Sequence, residues 1–153
     1  MSVEQASQVA DFTAQAIDGP ITLSALKGKK LILYFYPKDN TPGCTAQASD
    51  FRDNFAPLTK AGAIVVGVSR DSIQSHQSFK TKYELPFDLI SDPDERLCEQ
   101  FGVMKMKNMY GKQVRGIERS TFVIDGNGKL VREWRAVKVP GHVSEVLDFV
   151  KTL

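Results

Sequence analysis

The chain has 153 residues, 42% of them hydrophobic, and a net charge of +2 from 20 Lys and Arg against 18 Asp and Glu. That length suits a single domain, residues 1–153, burying about two-thirds of its unfolded-chain surface without disulfide or metal support. The balanced charge argues against nucleic-acid and membrane partners, and the cluster Lys27, Lys29, Lys30 reads as a solvated turn.

The opening stretch, "MSVEQASQVADF", has no basic segment followed by an apolar run, so it does not read as a secretory signal. No run approaches the length of a membrane span. A cytoplasmic protein is expected, in a compartment that keeps thiols reduced. Cys44 and Cys98 then read as free thiols. With only His76 and His142 beside them they make a poor metal set, and neither metal nor cofactor is expected.

The first strand expected is "KLILYFYP" (30–37), an apolar and aromatic run ended by proline and buried on both faces. A helix follows in "TAQASDFRDNFAPL", where Ala48, Phe51, Phe55 and Leu58 share one face. "AIVVGVS" (63–69) predicts a strand, "SIQSHQSFKTKYEL" (72–85) a helix, "FDLIS" (87–91) a strand and "DPDERLCEQFG" (92–102) a helix. The segment 103–118, with three methionines, reads as a long irregular loop. "STFVID" and "KLVREWRA", separated by "GNG", predict an antiparallel hairpin. "GHVSEVLDFVKTL" closes the chain as a helix with a stripe of Val143, Val146, Leu147 and Val150. The order βαβαβα, then a hairpin, then α implies an α/β fold with a mainly parallel sheet.

The chemistry concentrates in "PKDNTPGC" (37–44). Thr41 suits a helix N-cap and Pro42 the first helical position, which makes Cys44 the third helical residue. Its sulfur then lies near unpaired backbone N–H groups at the positive end of the helix dipole. An N-cap side chain reaches toward that third position, so the Thr41 hydroxyl is expected close to Cys44. The strand-to-helix switch is also where ligands bind at a parallel sheet edge. A free cysteine is mostly protonated at neutral pH. Lowering its pKa by about two units takes roughly 2.7 kcal/mol, against about 0.3–1 kcal/mol from an exposed helix end. A fixed cation is therefore expected, and Arg119, just before "STFVID", is the candidate.

These residues carry a resemblance. The P-x-x-x-T-x-x-C pattern of Pro37, Thr41 and Cys44, with "YFYPKDNTPGCTAQASDFRD" and "GKQVRGIERSTFVID", resembles the peroxiredoxins, and within them the bacterioferritin-comigratory or Q-type subfamily. The likeness runs over essentially the whole chain. It implies a thioredoxin-like fold, a central mixed sheet flanked by helices with an N-terminal extension, and a monomer. It implies a thiol peroxidase acting on hydrogen peroxide and organic hydroperoxides. Cys44 would be the peroxidatic cysteine and pass through a sulfenic acid. Thr41 would hydrogen-bond the peroxide, Pro37 would shield the sulfur, and Arg119 would polarise the bound oxygens. The reductant would be an external thiol: thioredoxin, glutaredoxin or a small thiol.

Each residue has a plainer reading. Cys44 alone could be a small buried hydrophobe. Arg119 could pair on the surface with Glu118 or Asp125, and Pro37 could merely end a strand. His76 and His142 read as solvated or helix-end residues; a His142 base for Cys44, giving a cysteine hydrolase, has no local support. "DGNGK" lacks the glycine and glutamate of a calcium loop, Leu130 and Ala136 standing there.

The chain departs from the subfamily in its resolving cysteine. Ser49 stands five residues after Cys44, and Lys80 stands where other members place the cysteine in the next helix. Only Cys98 remains, in "ERLCEQFG" beside the apolar pair Leu97 and Phe101, where a packed structural cysteine is the favoured reading. A one-cysteine mechanism is expected. The alternatives are a two-cysteine enzyme resolved by Cys98, a thiol–disulfide oxidoreductase (which lacks its C-x-x-C pair here) and a redox-sensing holdase.

Overall fold

The computed structural model describes residues 7–153, apart from the side chain of Met109; residues 1–6 of the stretch read for a leader lie outside it. In chain order the elements are β1 (Thr13–Ala16), β2 (Gly19–Thr22), a 3-10 turn (Leu23–Leu26), β3 (Lys30–Phe35), α1 (Pro42–Asp53), α2 (Phe55–Lys60), β4 (Ala63–Ser69), α3 (Ile73–Tyr83), β5 (Asp88–Ser91), α4 (Arg96–Gln100), β6 (Met104–Met109), β7 (Lys112–Ile117), β8 (Ser120–Ile124), β9 (Leu130–Trp134) and α5 (His142–Lys151).

Seven strands form one mixed sheet in the order β2-β1-β5-β4-β3-β8-β9. Its centre, β5-β4-β3, is parallel, while β1, β2, β8 and β9 pair antiparallel. The expected mainly parallel sheet is thus parallel only at its centre. The hairpin around "GNG" forms as expected, Asp125 accepting from the amides of Asn127 and Lys129. Among the described residues no helix is long and apolar enough to cross a membrane.

β3 is buried on both faces because helices or loops cover each. Its alternation sorts the core. Ile32, Tyr34 and Tyr36 pack with residues of α1, α2, α3 and α5, whereas Leu31, Leu33 and Phe35 pack with α4, Val9, Val103 and Ile117. Tyr34 stacks on Phe51 at 4.6 Å between ring centroids. Burying such a ring stabilises by about 1.5–3 kcal/mol. The Tyr34 ring needs Gly67 opposite: a Cβ there would lie 2.9 Å from the ring and 2.8 Å from Leu89.

Three further readings of the sequence are corrected, and one hairpin went unread. The helix expected through Leu58 is two helices, because Pro57 has no amide for the carbonyl of Asp53 and its ring would strike it. The β1–β2 hairpin, unread in the sequence, consists of two four-residue strands with little apolar alternation. Residues 103–118 are no irregular loop but the β6–β7 hairpin, turned by Tyr110 and Gly111, both at positive φ. Lys30 is not a solvated turn residue: its Nζ donates to the carbonyl oxygens of Ala61 at 2.8 Å and Leu153 at 3.1 Å.

Candidate active site

The chain leaves β3 at Tyr36, turns through Asn40 at φ 63° and enters α1 behind Thr41 in an extended conformation. Asparagine tolerates the left-handed region better than most residues. Pro42 opens the helix, and the first backbone bond runs from the amide of Thr45 to the carbonyl of Thr41 at 2.9 Å. The amides of Gly43 and Cys44 therefore have no partner within the helix. Cys44 is 1% exposed and packs in the core cluster of Tyr34 and Tyr36. Thr41 corrects one expectation. Its hydroxyl makes no capping bond and donates instead to the carbonyl of Lys38 at 2.8 Å. Pro37 is half-buried just beyond the end of β3.

Arg119 immediately precedes β8. The pairing of Ser120 with Phe35 brings it out at the sheet edge from which α1 departs. Its carbonyl is held by the amide of Val137 at 3.0 Å. The guanidinium donates through Nη2 to Cys44 Sγ at 3.3 Å and through Nη1 to Gln47 Oε1 at 2.7 Å. Among the described residues no carboxylate lies within ion-pair distance of it, so the surface pair with Glu118 or Asp125 does not form. Gly43 makes room for this contact: a Cβ there would stand 3.1 Å from Nη2.

Two neighbours went unread. Gln47 follows Cys44 by three residues, hence on the same helical face, and is fully buried. Lys107 reaches back from the β6–β7 hairpin to donate to the carbonyl of Ile117. Burial and then the Arg119 charge hold its ammonium below the usual lysine range, opposed by the Cys44 sulfur. The first could be found by helical spacing; the second needed a hairpin that no sequence signal announced.

Both histidines are buried, against the solvated reading. His142 Nε2 lies 2.8 Å from Thr121 Oγ1, and burial pushes the ring down to about 4. His76 bonds Asp39 through Nδ1 at 2.7 Å and faces the carbonyl of Ile90 through Nε2 at 2.9 Å. Asp39, Asp71 and His76 bring polar atoms within 4.8 Å of one another, already engaged with Tyr36, Ser69 and Ser75.

Cys98 is fully buried in α4, on the far side of the sheet from Cys44. Its amide donates to Asp92 Oδ2 at 2.8 Å. Burial and the adjacent Asp92 carboxylate push its thiol well above the ordinary cysteine range. Lys80, in α3, lies 3.5 Å from Asp18 in a surface ion pair.

Known proteins resemble this chain in sequence and fold. The model of the AhpC/TSA family matches residues 6–133. A Coxiella burnetii protein assigned to the peroxiredoxins as bcp is 54% identical over 148 residues, covering 96% of this chain and 98% of its own. Peroxiredoxin Bcp of Bacillus subtilis is 46% identical over 154 residues, covering 100% and 98%. The Xanthomonas campestris bacterioferritin comigratory protein, solved in trapped intermediate and ligand complexes bearing on its alkyl peroxide reduction activity, superposes with a TM-score of 0.87 at 49% identity, over 92% of this chain and 90% of that one. With its thioredoxin-like sheet and a cysteine at the head of α1, the chain belongs to the AhpC/TSA family and is a peroxiredoxin, a thiol-dependent peroxidase.

Proposed function

We propose that the chain reduces hydrogen peroxide and organic hydroperoxides by a one-cysteine mechanism, with Cys44 as nucleophile. The observation that carries the assignment is the Arg119 guanidinium 3.3 Å from Cys44 Sγ in the first turn of α1. The Cys44 thiolate attacks the terminal oxygen of ROOH. The O–O bond breaks, the electron pair leaves with the alkoxide, which takes up a proton as ROH, and sulfenic acid remains on sulfur. Charge thus moves from sulfur to oxygen, and fixed donors aimed at that oxygen lower the barrier. Arg119 and the free amides of Gly43 and Cys44 are those donors. The Thr41 hydroxyl donates its hydrogen bond to the Lys38 carbonyl, which leaves the lone pairs of the Thr41 oxygen to accept the O–H of the incoming peroxide. Pro37 and the buried setting of Cys44 keep water from the sulfur. The alkyl peroxide activity named for the Xanthomonas relative supports organic hydroperoxides as substrates.

An external thiol then condenses with the sulfenic acid, releasing water and forming a mixed disulfide. A second thiol displaces Cys44 and restores it. Thioredoxin, glutaredoxin and small thiols are the candidate reductants, in a reducing cytoplasm. Arg119, Thr41, Gln47 and Cys44 all come from one chain, so a monomer suffices. The test is Cys44→Ser: peroxide consumption with an added thiol should vanish while circular dichroism stays unchanged. Undiminished turnover in the purified variant would refute the assignment.

A further inference from the structure

The loop that carries Cys44 is held from behind by a buried hydrogen-bonded cluster around Asp39. Asp39, five residues before Cys44, is 5% exposed. Its Oδ1 accepts from the Tyr36 hydroxyl at 2.6 Å, and its Oδ2 accepts from the Ser75 hydroxyl at 2.8 Å and meets His76 Nδ1 at 2.7 Å. The other ring nitrogen of His76 faces the Ile90 carbonyl at 2.9 Å. A peptide carbonyl only accepts, so Nε2 carries a hydrogen. Burial alone would raise the Asp39 carboxyl, but the bonds from His76 and Tyr36 hold it below the usual carboxylate range. The carboxylate is thus held by three side chains at once within the core.

The backbone is gripped as well. The Asp39 amide donates to Asp71 Oδ2 at 2.9 Å, and that same oxygen accepts the Ser69 hydroxyl at 2.6 Å. Ser72 caps α3 by accepting from the Ser75 amide, and His76 follows in the same turn. Strand β3, the loop 36–41, the end of β4, the first turn of α3 and β5 thus meet at one residue. Between Asp39 and Cys44 lie only Asn40, in a left-handed conformation, and the first residues of α1.

We propose that the Asp39 carboxylate, held by His76, Tyr36 and Ser75, is a positioning device for peroxide reduction. It fixes the strand-to-helix loop so that the Thr41 oxygen and Cys44 sulfur address the same peroxide. Among the described residues none of its members hydrogen-bonds the Cys44 sulfur or the Thr41 hydroxyl. The proposal rests on the peroxidase reading above and deepens it: misplacing a reacting group by about 1 Å can slow a reaction about 10²-fold.

The rates of the peroxide step and of the reductive step, measured separately on the whole protein, test it. In single-turnover kinetics, Tyr36→Phe and Ser75→Ala each remove one bond to Asp39 and should slow oxidation of Cys44 by about tenfold, while reduction of the sulfenic form by a small thiol keeps its rate. Asp39→Asn, which leaves one accepting oxygen where the carboxylate has two, should slow the peroxide step further. If Asp39→Asn does not fold, the Tyr36 and Ser75 variants decide. Active wild type with both of these at wild-type speed overturns the positioning role alone. Wild type without peroxide turnover overturns the peroxidase reading and this role with it.

Discussion

Cys44 and Cys98 pack against opposite faces of the same seven-stranded sheet. Cys44 lies with Tyr34, Tyr36 and Phe51, and Cys98 with Phe35, Phe101 and Phe122. A disulfide needs its Cα atoms within about 7 Å. Bringing these two together means unwinding α1 or α4 and carrying a cysteine around the sheet. That exposes Phe51 or Phe101, each fully buried, at about 1.5–3 kcal/mol per side chain before backbone bonds are counted.

Cys98→Ser is therefore expected to keep turnover with an external thiol. One equivalent of peroxide should leave wild type with a sulfenic acid on Cys44 that dimedone labels, and with no loss of two hydrogens by mass. A stoichiometric internal disulfide together with an inactive Cys98→Ser would make the protein a two-cysteine enzyme.

Arg119→Ala should slow peroxide attack by about 10²-fold or more, the scale seen when a transition-state donor is removed. Arg119→Lys should recover only part, because an ammonium lacks the planar fork that reaches Cys44 Sγ and Gln47 Oε1 at once. Stopped-flow peroxide consumption measures both. A lysine variant at wild-type speed would show that the charge alone matters and the fork does not.

The sequence made the active-site loop legible because its punctuation is local. Thr41, Pro42 and Gly43 dictate where α1 starts, and a strand run ending before Pro37 dictates where it starts from. Arg119 was legible only through its place ahead of a strand that had to be central. What stayed hidden depended on distant contacts. Nothing near His76 announces Asp39, 37 residues earlier, and a histidine in a polar helix reads as solvated until α3 is docked on β5. The β6–β7 hairpin was missed for a different reason. Residues 112–115 are all exposed, so the first four positions of β7 show no period of two to pair with β6.

Thr41→Val should lose peroxide reactivity by about 10²-fold, while Thr41→Ser should stay within a few-fold of wild type. Valine matches threonine in shape, so the difference isolates the hydroxyl, which bonds Lys38 and accepts from the substrate in the proposed geometry. Equal rates for the valine variant and wild type would remove Thr41 from the site and leave it only a helix N-cap.

His142 should govern stability in mild acid. Burial beside Trp134 and Thr121 pushes its ring down to about 4 from an ordinary 6.5. The folded protein thus holds it neutral where the unfolded chain has already taken up a proton. Between pH 6.5 and about 4 the unfolded state binds more protons, so stability falls as pH falls through this window. The contribution is complete above pH 6.5 and lost below about 4, with a span on the order of 3 kcal/mol. Asp39, whose carboxyl lies below its usual range, acts in a lower window: its contribution is present above the ordinary carboxylate pKa near 3.8 and lost as pH falls below it. Urea unfolding of wild type at pH 7, 5.5 and 4.5 should show the decline. His142→Gln, which keeps a partner for Thr121 but cannot titrate, should be less stable at pH 7 and much flatter between pH 7 and 4.5. Parallel slopes for the two proteins over that range would mean that another group controls the acid limb.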